Sequence, residues 1–204
     1  MILFLSEPRL AAPYLPSEGW NPSFVKGIPL SILILLTSLS SYVMANDDED
    51  GIHLEELPAW RQSKKRKPIA SSKFYFFDVG VLSPLQGREF RLGTPEFGEA
   101  FETYIMHELT CHRDYGSDEP LSYWRSTSGF EVDFIIGDHT AIEVKAKKNL
   151  SPADLKSLNA LAEEKKLKRY LCVSMEPRRR RIDDVVVLPY KEFLEELVSG
   201  GYAG

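Results

Sequence analysis

Two carboxylates and a lysine on one short stretch are the side chains of this sequence best spaced to do chemistry. Glu131, Asp133, Glu143 and Lys145 lie in GFEVDFIIGDHTAIEVKAKK, which starts at Gly129. Val132, Phe134 and Ile136 alternate with Glu131, Asp133 and Ile135, and Ile142 and Val144 alternate with Glu143 and Lys145. That is strand periodicity twice over, with Gly137-Asp138-His139 supplying the turn. Pairing Ile136 with Thr140 sets Asp133 opposite Glu143 and Glu131 opposite Lys145 on one face. Val132, Phe134, Ile142 and Val144 then share the other. Cross-strand Cβ atoms lie roughly 5 Å apart, where two carboxylates repel by about 3 kcal/mol at an effective dielectric near 20. Such a pair calls for a cation. Lys145 supplies one, and Mg²⁺ or Mn²⁺ held by Asp133 and Glu143 would neutralise both acids and leave positions for water and a phosphate. The same spacing also suits a solvated hairpin face whose charges pair loosely, for at most about 1 kcal/mol per pair.

The order Val132-Asp133, ten residues, Glu143-Val144-Lys145 resembles the PD-(D/E)xK signature of restriction-endonuclease-like nucleases. Its surroundings are more specific: KFYFFDVGVL from Lys73, GEAFETYIMHEL from Gly98, YWRSTSGFEVDFII from Tyr123 and AIEVKAKKNLSPADLKSLNAL from Ala141. Together, over about Leu54 to Val198, these resemble the uncharacterised domain that prokaryotic AAA-type P-loop ATPases carry at their C-terminus, assigned to that superfamily. The resemblance implies an α/β fold, a restriction-endonuclease-like mixed sheet flanked by helices. It implies Asp133, Glu143, Lys145 and Glu102 as catalytic residues, Asp133 and Glu143 as ligands of Mg²⁺ or Mn²⁺, and nucleic acid as partner. Glu102 is carried over as the first-helix glutamate that often joins the metal site. Val132 stands where many such nucleases have proline, and only Asp133 bears on the metal. The resemblance also implies a P-loop ATPase as partner, while no GxxxxGK[ST] phosphate loop occurs in the chain; the chain by itself is expected to bind no ATP.

Helices and strands must hold these groups. Thr94 reads as an N-cap, with Pro95 in the first helical position and Glu96 in the first turn. Phe97, Phe101, Tyr104, Ile105 and Leu109 then follow at helical spacing, with Glu102 beside the apolar stripe. Leu121–Ser126 reads as a strand before the hairpin, and Arg125 as a phosphate contact or a carboxylate partner. Ser151-Pro152 opens another helix, striped by Leu155, Leu158, Leu161 and Ala162. Arg169–Ser174 and Val185–Leu188 read as buried strands, and Tyr190–Val198 as a closing helix stopped by Gly200-Gly201.

The remaining chain divides by composition into an irregular extension over 1–50, a basic linker over 51–72, and an α/β domain over 73–204. The extension carries five prolines before Leu30 and an apolar segment over 28–45, open to reading as a signal or anchor, a buried helix or a non-native leader. Leu54–Leu57 reads as a short helical piece, Trp60 as an anchor for the linker, and Phe74–Phe77 as an aromatic strand ending in an Asp78-Val79-Gly80 turn. Six acids and two bases in the first fifty residues account for most of the net charge of -5. The remainder is near neutral, so its clusters, Lys64, Lys65, Arg66 and Lys67 in the linker and Arg178–Arg181, are candidates for phosphate contact or simply solvated charge. Cys111 and Cys172 make no disulfide framework, which suits a reducing, cytoplasmic compartment. His107 and Cys111 share a helix face, but no second pair completes a zinc site.

Overall fold

A six-stranded mixed sheet carries the acid-rich stretch at its centre. The computed structural model describes residues 54–76 and 91–202. The 1–50 extension with its apolar segment, and the Asp78-Val79-Gly80 turn, lie outside the described residues. Strands β1 (Leu54–Leu57) and β2 (Lys73–Phe76) form an antiparallel ribbon of their own. The main sheet comprises β3 (Leu121–Arg125), β4 (Glu131–Ile136), β5 (Thr140–Lys145), β6 (Arg169–Ser174), β7 (Arg180–Ile182) and β8 (Val185–Pro189). Its order is β3-β4-β5-β6-β8-β7, with β5, β6 and β8 mutually parallel and the other pairs antiparallel.

Helices cover both faces, as a sheet buried on two sides requires. Helix α1 (Pro95–His112) and helix α3 (Tyr190–Val198) pack one face, where Phe101, Ile105, Leu109, Phe193 and Leu197 meet Phe134, Ile136, Ile142 and Val144. Helix α2 (Lys156–Ala162), led in by a 3₁₀ turn over Pro152–Leu155, packs the other, where Leu158 and Leu161 meet Ile135, Ala141, Cys172 and Val187. The caps act as their sequence suggests. Thr94 Oγ1 accepts from the Phe97 amide at 3.2 Å, and the Asp154 carboxylate accepts from the Ser151 amide at 2.8 Å.

The residues between β1 and β2 run as a strap along the free edge of β3. Trp60 N–H donates to the Tyr123 carbonyl, the Tyr123 amide to the Pro58 carbonyl and the Ile69 amide to the Arg125 carbonyl. A sheet edge that would otherwise template foreign strands is thereby covered. Trp60 is buried among the residues of the α2 face and its indole N–H donates to Asp138 at 2.9 Å, so it anchors the strap as its size suggests. Leu54–Leu57 corrects the helical reading of its sequence: its i, i+3 leucines look helical, yet it pairs with β2 in register Glu55↔Tyr75. A four-residue helix cannot repay its nucleation in isolation, whereas a strand gains a ladder at once.

Candidate active site

The site forms where the β4–β5 ladder ends. Pairing runs Ile136↔Thr140, Ile135↔Ala141 and Phe134↔Ile142, the register expected from the sequence. It stops there. Beyond it the Val144 amide donates 2.8 Å to Asp133 Oδ2, so a side chain takes the place of a β4 carbonyl. On the other side of β4 the register with β3 shifts between Ser122 and Trp124, which pair with Ile135 and Val132. Asp133 and Phe134 therefore stand together against Tyr123 alone, a β-bulge. The bulge corrects the expected facing. Val132 belongs with the α2 side, while Phe134, Ile142 and Val144 lie on the α1 side.

Both acids are almost fully withdrawn from water, Asp133 at 6% and Glu143 at 4% exposure. Burial raises the Asp133 carboxyl well above the usual carboxylate range, and the charges of Glu143 and Glu102 raise it further. Burial likewise pushes Glu143 up to about 7, against the pull of Lys145. Lys145 Nζ lies 2.5 Å from Glu143 Oε1. Burial acts to lower its pKa, but Glu143 and Asp133 outweigh that and hold the amine protonated. The second oxygen of Glu143, Oε2, is buried and has no hydrogen-bond partner among the described residues. An orphaned carboxylate oxygen in a dry site costs of order 1–3 kcal/mol or more. It is an acceptor waiting for a partner.

A second ring of charge surrounds this core. Lys73 Nζ reaches Glu131 at 2.8 Å and Glu102 at 3.2 Å, and Tyr75 Oη donates to the same Glu102 oxygen at 2.6 Å. Arg125 Nε lies 3.3 Å from the other oxygen of Glu131. Glu131 thus corrects its expected pairing: its cations are Lys73 and Arg125 rather than Lys145, because the bulge re-aims the strand before Asp133. Glu102 is brought to the site as a field acting on both buried acids, with its Oε1 engaged by β2. Among the described residues, no group of three or more His, Cys, Asp or Glu side chains is spaced to hold a metal ion. His107 and Cys111 do touch, Nε2 to Sγ at 3.8 Å.

Residues 97–193 match a domain of unknown function, DUF4143. An uncharacterised protein of Mycobacterium bovis and one of Mycobacterium tuberculosis are each 25% identical to the chain over 144 residues, covering 68% of this chain and 32% of theirs. The chain spans about a third of the length of these curated relatives. No solved structure matches it. Glu102, Asp133, Glu143 and Lys145 all fall within the matched stretch; Lys73 and the strap precede it.

The basic linker residues are used in an unforeseen way. The amides of Lys64, Lys65 and Arg66, with Ser63 Oγ, converge on the Glu164 carboxylate at 2.9–3.1 Å, an anion nest filled from within. Those bonds depress the Glu164 pKa although its burial acts the other way. Arg66 also donates to the Ala160 carbonyl and the Glu163 carboxylate, both at 2.7 Å. The Lys64 and Lys67 side chains stay exposed. In the other basic cluster, Arg179 pairs with Glu192 and Glu196, and Arg180 with Glu176. No described helix is long and apolar enough to cross a membrane.

Sequence reasoning missed Lys73, Tyr75 and Glu164. Strand alternation in KFYF, which sets Lys73 and Tyr75 on one face, is the signal that would have drawn attention to the first two. Glu164 carries no sequence signal, since its ligands are backbone amides a hundred residues away.

Proposed function

We propose that this chain is a metal-dependent phosphodiesterase acting on nucleic acid, with a restriction-endonuclease-like fold, and that it works alongside a P-loop ATPase in the cytoplasm. The observation that carries the reading is the buried Glu143 Oε2, unpartnered among the described residues, beside Asp133 and the Lys145 ammonium. The donor set suits a small hard cation. Mg²⁺ is commonly bound through one or two carboxylates, its other positions going to water and phosphate, and Asp133 and Glu143 are such a pair. When bound, Mg²⁺ or Mn²⁺ supplies Lewis acidity toward a phosphoryl oxygen and lowers the pKa of a water.

The chain's own residues would do the rest. The Val144 amide fixes the Asp133 carboxylate on one oxygen and leaves the other for a ligand. Glu143 holds Lys145 through Oε1 and keeps Oε2 free. Hydrolysis forms a bond from a water oxygen to phosphorus and breaks the bond to the leaving ester oxygen. The extra negative charge falls on the non-bridging oxygens. Lys145, about a third exposed, is placed to donate to them, and such preorganised donors contribute most where water is excluded. Glu102 and Glu131, with Lys73 and Arg125, tune the field without touching the reacting atoms.

A non-catalytic module that binds nucleic acid or regulates an ATPase is the second reading. It is favoured by Lys73 and Lys145, whose amines already pair with three of the four acids. Incubation of the purified chain with single- and double-stranded oligonucleotides in Mn²⁺ separates the two. The enzyme reading expects cleavage that Asp133→Asn abolishes with the melting temperature maintained. Cleavage equal in wild type and variant, or none in either, would leave the module.

A further inference from the structure

Three residues before Asp133 on the same chain, β4 is preceded by an aromatic ring gripped by two cations. Arg66 Cζ lies 5.2 Å and Lys156 Nζ 5.8 Å from the Phe130 ring centroid. Together with Pro152 and Asn159 they wall a pocket of about 330 Å³ on the α2 side of the sheet. The two cations are not equivalent. Arg66 is fixed by the Ala160 carbonyl and the Glu163 carboxylate. Lys156 is exposed and pairs with no carboxylate among the described residues. The α2 end of the pocket is tied to β4 by the Glu131 amide, which donates to Ser157 Oγ at 3.4 Å.

We propose that this pocket is a subsite for one unpaired nucleotide of a single strand, beside the phosphodiester to be cut. This deepens the phosphodiesterase reading and rests on it for the position of the cut. Extended chain rises about 3.3 Å per residue, so Phe130 sits about 10 Å along the strand from Asp133, a reach of one or two nucleotides. An exposed cation–π contact is weaker than the stacking of a base on an aromatic side chain. An incoming base therefore displaces Lys156 from the ring. The freed ammonium then meets a phosphate of the same nucleotide, while Arg66 stays as the rigid floor. A base stacked inside a duplex presents no free face, and the pocket volume lies at the small end of ligand sites; duplex is excluded.

The test is binding without cleavage. The full chain carrying Asp133→Asn is titrated with labelled oligo-dT, oligo-U, an abasic strand of equal charge and a duplex. We expect a base-bearing single strand, DNA or RNA, to bind more tightly than the abasic strand and the duplex. Phe130→Leu should weaken that strand about tenfold and the abasic strand not at all, and Lys156→Gln should weaken it about threefold. Equal affinity for base-bearing and abasic strands, no effect of Phe130→Leu, or no binding of any single strand would overturn the proposal. Lys156 is exposed, so its variant decides the matter if Phe130→Leu lowers the melting temperature. Loss of cleavage in wild type with Phe130-dependent binding intact would fail the enzyme reading alone; cleavage with Phe130-independent binding would fail this one alone.

Discussion

The two ends of one hairpin behave as different materials. At the turn end, Phe134, Ile135, Ile136, Ala141 and Ile142 are fully buried, paired in register, and apolar on both faces. At the other end the ladder has stopped, a bulge has opened, and Glu131, Asp133, Glu143 and Lys145 fill the space with charge. The difference is a division of labour along two strands. The closed end supplies the burial that holds the strands, and the open end spends part of that stability on acids kept from water. Strain of this kind persists only where the surrounding structure fixes it.

The sharpest way to break the comparison is to hollow the closed end. Phe134→Ala should cost about 3–5 kcal/mol, seen as a lower denaturation midpoint with unchanged slope, and activity should disappear with the fold. At the open end Lys145→Met should leave folding nearly intact and lower Mn²⁺-dependent cleavage about a hundredfold, measured as initial rates on an oligonucleotide.

Stability should also fall more steeply with rising pH in wild type than in an open-end variant. The folded Glu143 pKa is pushed up to about 7, above an ordinary 4.5. Between those values the folded chain keeps a proton that the unfolded chain has lost, so stability falls as pH rises through that window. Glu143→Gln removes this penalty. Its melting temperature should exceed that of wild type by several degrees at pH 8 and match it near pH 4.5, as thermal melts in metal-free buffer will show.

Much of this division is legible in the sequence. The hairpin register, the Thr94 cap and the Tyr190–Val198 helix follow from local chemistry: period, capping oxygen and glycine stop. The bulge at Asp133–Phe134 does not, because hydrophobic alternation runs through it unbroken and only the β3 partner reveals the extra residue. Leu54–Leu57 misled for a related reason, since its fate is decided by β2 rather than by its own spacing. Lys73 was overlooked although KFYF alternation places it beside Tyr75, because its partners Glu102 and Glu131 come from elements distant in sequence. The strap's basic run reads as phosphate contact or solvated charge, and the use of its amides to enclose Glu164 is set by a partner a hundred residues away.

A smaller effect sharpens the electrostatic side. Lys73→Met removes a cation from between Glu102 and Glu131, leaving a more negative field at the buried acids. Mn²⁺ affinity should rise a few-fold, since solvent screens a charge as exposed as Lys73, read from the metal concentration that half-saturates cleavage.

Calorimetric titration of the metal-free full chain with Mn²⁺, in wild type and Asp133→Asn, tests most directly whether the open end of the hairpin is a cation site. Saturable uptake by wild type, abolished in the variant, is the predicted result. Equal uptake by both proteins, or no uptake by wild type, would contradict the account.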